Sequence, residues 1–168
     1  MEKTGTRRGF GYWSWKPAVI KDMFLRMKDG DILLYCDAGC HLNPKCRKRF
    51  FEYVKMTEEH DIFCTKLPDE YSTYAWTKMD TIVLFKDKVP EAMFETGQLQ
   101  PGTVFLKKNA YTMDIIEQWD RLMDVQNLHY YDDSPSVLQN HSTFRENRHD
   151  QSIFTLLLKS NHYWAEPV

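Results

Sequence analysis

Three short stretches carry side chains able to do chemistry together. In the first, "LLYCDAGCHLN" over residues 33–43, an apolar run ends on Asp37, with Ala38 and Gly39 following. Ligands of open α/β sheets bind beyond the carboxyl ends of the strands, so a carboxylate delivered there can hold a ribose hydroxyl or a divalent cation. Ala38 and Gly39 leave the neighbouring space empty, and a bulky ligand can approach the backbone. The alternative is that Asp37 caps the turn after the strand, with Gly39 supplying a positive φ.

The second stretch, "RGFGYWSWKP", crowds two glycines, four aromatic residues and a lysine together just before a helix. Lys16 stands at the helix start, where backbone N–H groups already favour anions, and can neutralise a diphosphate as a point charge. Otherwise it is a solvated side chain, with Trp13 and Trp15 in the core. In the third stretch, "ENRHDQSIFTLLLK", Arg148, His149, Asp150 and Gln151 run directly into an apolar helix. Asp150 suits an N-cap or a first-turn acid. The group is more than a cap requires, and the helix behind it would hold Asp150 and Gln151 rigidly at a pocket edge.

Regular elements must position these residues. Pro17 in a first turn, Gly30 as a stop and the spacing of Val19, Ile20, Met23, Phe24 and Met27 predict a helix over 16–30. "DILLYCD" reads as a short buried strand. "PKCRKRFFEYVKM" reads as a helix capped by Asn43, with Cys46, Phe50 and Val54 on one face. "DIFCTK" is a short strand, residues 67–80 read as loop and short helix, and "TIVLFK" fits strand or helix. Gly102 opens a strand in "GTVFLKKN". "AYTMDIIEQWDRLMDV" is the clearest helix, with Ile115, Ile116, Trp119, Leu122 and Met123 on one side. The stretch 127–147, broken by Pro135, reads as a long loop, and "HDQSIFTLLLKSNH" as a buried last helix. Helices alternating with short apolar strands predict an α/β layered architecture in a single domain.

Composition narrows the classes. The chain has 168 residues, 42% of them hydrophobic, enough for one core. The formal net charge of −2 gives no global field for nucleic acid or an anionic membrane. "KCRKRFF" is basic with aromatics, but on a helix it reads as a solvated face rather than a nucleic-acid site. Cys36, Cys40, Cys46 and Cys64 fit no tight zinc pair and read as reduced thiols. No apolar run approaches the ~20 residues of a membrane helix, and Met1 leads into a polar stretch without an apolar signal segment. The expectation is a soluble cytoplasmic protein with no membrane span and no nucleic-acid partner.

Taken in order, "GFGYWSWKPAVIKDMFLRMKDGDILLYCDAGCHLN", "GQLQPGTVFLKKNAYTMDIIEQW" and "RHDQSIFTLLLK" resemble a group of GT-A-fold glycosyltransferases of bacteria and large DNA viruses, distantly similar to the glycogenin-like enzymes. The resemblance runs from about Arg8 to Lys159. It implies a GT-A-like (Rossmann-like) layered mixed sheet flanked by helices, with residues 1–168 forming one domain. It also implies a hexosyltransferase-like activity, moving a sugar from a nucleotide-diphosphate sugar to a hydroxyl of a carbohydrate or other acceptor, with retention. Asp37 matches the first acid of the Asp-x-Asp motif, which contacts the donor's ribose and metal region. Lys16 matches a basic position facing the nucleotide sugar. Asp150 and Gln151 match an acid–amide pair near the transferred sugar and acceptor. The stretch 98–103, with Gln98, Gly102 and Thr103, would line the sugar pocket.

Two departures stand out. Gly39 replaces the second acid of the motif, which removes one ligand of the Mn²⁺ or Mg²⁺ ion that the resemblance implies at Asp37; a lone carboxylate binds such hard cations weakly. A late histidine, His162, either assists there or is simply solvated. GT-A domains also begin with a strand and helix that bind the base, whereas this chain starts at the block that follows them, as an incomplete or truncated domain would. Both departures keep open the alternative of a catalytically inactive sugar- or partner-binding module with the same fold.

Overall fold

The computed structural model describes residues 8–163, so most of the polar N-terminal stretch lies outside the described residues. Three strands form one sheet: β1 (Ile32–Cys36), β2 (Ile62–Lys66) and β3 (Leu99–Lys107), in the order β1-β3-β2. Both ladders are antiparallel, with Leu34 opposite Phe105 in one and Phe63 opposite Phe105 in the other. β1 and β2 therefore run parallel to each other, and β3 fills the slot between them. This differs from the mixed sheet expected: the crossover neighbours are separated, and no parallel pair is hydrogen-bonded among the described residues.

Eight α-helices surround the sheet among the described residues: α1 (Lys16–Arg26), α2 (Arg47–His60), α3 (Thr73–Trp76), α4 (Met79–Ile82), α5 (Glu91–Phe94), α6 (Ala110–Leu122), α7 (Leu128–Tyr131) and α8 (Asp150–Ser160). None is long and apolar enough to cross a membrane. α2 makes the crossover and packs on the sheet through Tyr53, stacked on Phe63 at 4.3 Å, and Phe50, 5.5 Å from Phe105. α8 packs on β3, α6 on α8, and α1 on α6. α6 starts on a capping box between Asn109 and Thr112 and buries Ile115, Ile116 and Trp119, as its spacing predicts. Each such apolar side chain contributes about 1.5–3 kcal/mol on burial. α8 is covered along nearly its whole length, from Ser152 to Lys159.

Several boundaries differ from the sequence reading. β1 is half-buried throughout and lies at an edge of the sheet, not in its interior. β3 begins at Leu99, before Gly102, and accommodates Pro101 next to the irregular register with β2. Asn43 does accept the Lys45 N–H, but it caps a 3-10 turn (Pro44–Cys46), and Cys46 is exposed. "TIVLFK" is helical, and the expected long loop starts on the last residue of a 3-10 turn (Val125–Asn127) and contains α7. All four cysteines are free.

The rest of that loop is tied down, which matters for the site it leads into. Asp80 accepts the backbone N–H groups of Val137 (2.7 Å) and Leu138 (2.8 Å) and meets His129 Nε2 at 2.5 Å. Burial alone would raise its pKa, but these bonds outweigh burial and hold it down at about 2. The buried Lys78 ammonium donates to Asp132 Oδ1 (3.0 Å) and the Ser134 carbonyl (3.1 Å). Arg145 and Arg148 donate backbone N–H groups to the Ala75 and Trp76 carbonyls at 2.8 and 3.2 Å. The chain thus reaches α8 along a fixed path.

One glycine is required by a backbone approach. A Cβ on Gly97 would sit 1.8 Å from the Leu67 carbonyl oxygen. Gly97→Ala is expected to cost about 3 kcal/mol or more, because main chain cannot yield as a side chain does. An unchanged urea midpoint would contradict this.

Candidate functional site

β1 delivers Asp37 to the sheet rim. Its backbone N–H donates to the Gly102 carbonyl at 2.8 Å, and its own carbonyl accepts the Cys40 N–H at 2.9 Å, closing the turn. Tyr35 points to the same side, two positions back along the strand, and its hydroxyl donates to Asp37 Oδ1 at 2.8 Å. Gly102 lies beneath the carboxylate, where a Cβ would meet Asp37 Oδ2 at 2.8 Å. Gly39, by contrast, has open space around it and does not adopt a positive φ, so the turn does not use it as expected.

Lys16 opens α1 and Asp150 opens α8, and both side chains turn inward. Lys16 is 3% exposed and Asp150 4%. The Lys16 ammonium lies 2.8 Å from Asp150 Oδ2 and 3.2 Å from Asp37 Oδ1, while the Asp37 side chain remains 39% exposed. Asp150 is therefore a first-turn acid; the N-cap position belongs to His149. Burial is the main reason the Asp150 carboxyl is pushed up to about 6; the Lys16 charge opposes that rise and the Asp37 charge adds to it. Burial, then the bond to Asp37, raises the Tyr35 hydroxyl as well.

These groups stand on a polar cavity of about 510 Å³. Lys16, Asp37, Gly102, Thr103, Asp150 and Gln151 all line it, so six of the expected residues converge. Gln98 lies behind the wall. It is fully buried, donates to the Trp76 carbonyl (2.9 Å) and Thr77 Oγ1 (2.8 Å), and accepts a 2.7 Å bond from Gln151 Nε2. It therefore orients Gln151 without reaching the cavity. Gly39 is not among the lining residues, and His162 is exposed and outside it.

The sequence left other members unnoticed. Arg8 and Glu146 stand with Arg148 on the cavity wall. Glu146 braces both guanidiniums, at 3.6 Å from Arg8 and 3.2 Å from Arg148, and Arg148 lies over the Trp76 ring at 4.2 Å. Because Lys16 is enclosed by two carboxylates, these exposed arginines are the cations a phosphate meets first. Nothing local marks Arg8 or Glu146, whereas Tyr35, also missed, could have been found from its alternation with Asp37.

The rim is strained. Gly11, Tyr12 and Trp13 have φ of 58°, 54° and 59°, and His149 has 53°. For the non-glycine residues this costs about 1–2 kcal/mol each. Packing offsets it: His149 lies 4.9 Å from the Tyr12 ring and 5.6 Å from that of Trp13, and its Nδ1 bonds the Tyr131 carbonyl at 2.8 Å. Burial lowers the His149 pKa, keeping the ring neutral with Nδ1 as the donor. Trp13 is thus a half-buried wall of the cavity, where a core position was expected.

The residues present do not compose a divalent-metal centre. Among the described residues no group of three or more His, Cys, Asp or Glu side chains is placed to hold an ion. Between Asp37 and Asp150 stands the Lys16 ammonium.

Gly102→Ala tests whether the close approach matters. The added methyl meets the end of a side chain rather than backbone, so the melting temperature is expected to stay nearly constant. Displacing Asp37 is expected to weaken ligand binding about tenfold, a loss of about 1.4 kcal/mol. Unchanged affinity would mean that the position of Asp37 is not used.

In comparisons with known proteins, no family model, no curated protein and no solved structure matches this chain.

Proposed function

We propose that the cavity binds a nucleotide-diphosphate sugar and that the chain is a glycosyltransferase of GT-A type, passing the sugar to a hydroxyl acceptor. The observation that carries this reading is the convergence of Asp37, Lys16 and Asp150, from separate elements, on one polar cavity. Its size falls within the ~300–1,000 Å³ typical of small-molecule sites. The exposed Asp37 carboxylate is free on one side to accept a ribose hydroxyl. The leaving diphosphate gains negative charge, which Arg8 and Arg148 can meet from the wall; preorganised charge of this kind lowers the barrier. The departing sugar passes through a cation-like state beside Asp150, whose carboxylate either stabilises that charge or takes the acceptor's proton. Gln151, fixed by Gln98, is placed to hold a sugar hydroxyl.

The experiment is incubation of the chain with a panel of nucleotide-diphosphate sugars, with released nucleotide diphosphate measured by chromatography and binding by thermal shift. One donor is expected to raise the melting temperature by mass action and to be consumed. Asp37→Asn is expected to weaken that binding tenfold or more, about 1.4 kcal/mol, with the circular dichroism spectrum unchanged. Binding without consumption in the presence of varied acceptors would favour a non-catalytic sugar-nucleotide-binding module. No binding of any donor would overturn the reading.

A further inference from the structure

We propose that the Lys16 ammonium is the built-in cation of this site, and that the chain holds its ligand without a divalent metal. The inference rests on the reading of Asp37 as donor-facing, but its physical core is separate from that reading. Carboxylates from two elements distant in sequence are held together by one positive charge, as a metal ion would hold them. Here the charge is an ammonium, 2.8 Å from Asp150 Oδ2 and 3.2 and 3.4 Å from the two oxygens of Asp37. Metal–oxygen distances for Mg²⁺ and Ca²⁺ are shorter, about 2.0–2.6 Å. An ion entering between these carboxylates would have to evict Lys16, and a buried ammonium has nowhere to go without losing both partners.

The surroundings fix the lysine in place. Lys16 is the first residue of α1, followed at once by Pro17, and both are buried. The ammonium also lies 5.7 Å from the centre of the Tyr35 ring, whose hydroxyl anchors Asp37 Oδ1. Among the described residues no third His, Cys, Asp or Glu side chain joins Asp37 and Asp150 in a group placed to hold an ion. Hard cations take six or more oxygens, and Gly39, two residues after Asp37, brings no side chain to the site. The Lys16 charge is balanced by Asp37 and Asp150, so the charge of a diphosphate falls to Arg8 and Arg148.

The test is Mn²⁺ binding to the full chain, followed by electron paramagnetic resonance and by thermal shift, for the wild type and for Lys16→Ala. Neither readout depends on turnover. The wild type is expected to leave millimolar Mn²⁺ free and its melting temperature unchanged. Lys16→Ala, which leaves Asp37 and Asp150 facing each other without a counter-charge, is expected to bind Mn²⁺ at least tenfold more tightly and to be stabilised by it. If the alanine variant does not fold, Lys16→Ser, which likewise vacates the space between the carboxylates, takes its place. Mn²⁺ binding to the wild type that Asp37→Asn abolishes would overturn the proposal, and so would equal Mn²⁺ affinity in wild type and variant. A failure of all nucleotide sugars to bind would instead strike the functional reading, leaving the Mn²⁺ comparison to decide this one.

Discussion

Asp150→Asn is expected to lower turnover by about 10³-fold, since a positioned acid–base or charge-stabilising carboxylate contributes roughly 10²–10⁴. The substitution keeps the shape of the side chain and an oxygen facing Lys16, so the loss of stability is expected to be small, about 1 kcal/mol. The informative readout is the pH profile. Burial holds the Asp150 carboxyl up at about 6, with Lys16 limiting the rise. The ionised form is the one that can stabilise a cation or accept a proton, so the wild-type rate is expected to climb as pH rises through about 6 and then to level. The variant should lack that limb while retaining donor binding. The sign for stability is opposite. The native state holds this proton more tightly than the unfolded chain, whose Asp titrates near about 3.9. Stability contributed by the group therefore falls as pH rises from the unfolded value to the native one. A variant as active as the wild type would remove Asp150 from the chemistry.

Lys159→Met is expected to be a damaging conservative change away from the cavity. The Lys159 side chain is enclosed beneath α8, and its ammonium donates to Met93 O (2.8 Å), Thr96 O (3.0 Å), Thr96 Oγ1 (2.9 Å) and Thr73 Oγ1 (2.9 Å). Methionine fills the same volume but removes all four of these bonds from the enclosed site, although the Thr96 carbonyl keeps the Thr73 N–H (3.1 Å) and the Met93 carbonyl the Thr96 hydroxyl (3.0 Å). The expected loss is about 3 kcal/mol, equivalent to about 6–12 °C in melting temperature for a chain of this size. Burial pushes the Lys159 pKa down to about 7, with the Lys66 charge adding to the effect. The native state thus sheds this proton before the unfolded chain does, whose lysine titrates near about 10.4. Between those values the unfolded state binds more protons, and this group's contribution to stability rises with pH. Denaturant midpoints measured from pH 7 to 10 should carry that slope in the wild type and lose it in the variant. A variant with an unaltered midpoint and slope would show the ammonium to be dispensable.

The two lysines mark where sequence reading stops. Lys159 sits within the apolar run of the last helix, and Lys16 beside Pro17 at a helix start; both sequence contexts fit an exposed cation equally well. Burial of a charge depends on what surrounds it from other segments, and hydrophobic periodicity carries no record of that. The same limit explains β1, whose apolar run reads as interior although it lies at an edge. A run of four or five apolar residues reports that something covers them, but not from how many sides. It explains Gln98 too: its position in the 98–103 block was legible, but its role in bracing Gln151 from behind the wall was not.

What the amino-acid sequence determined by itself was local. The helices α1, α6 and α8, the three strands and the placement of Asp37, Lys16 and Asp150 at element ends follow from periodicity, prolines, caps and charge over a few residues. The tertiary structure alone decided that β3 lies between β1 and β2, that one ammonium joins Asp37 to Asp150, and that Arg8 and Arg148 face the cavity. Short-range preferences act through neighbouring backbone and side chains, so they are written in the local pattern. Contacts between distant segments depend on which packing buries the most apolar surface while pairing every enclosed charge, and only the assembled chain resolves that competition.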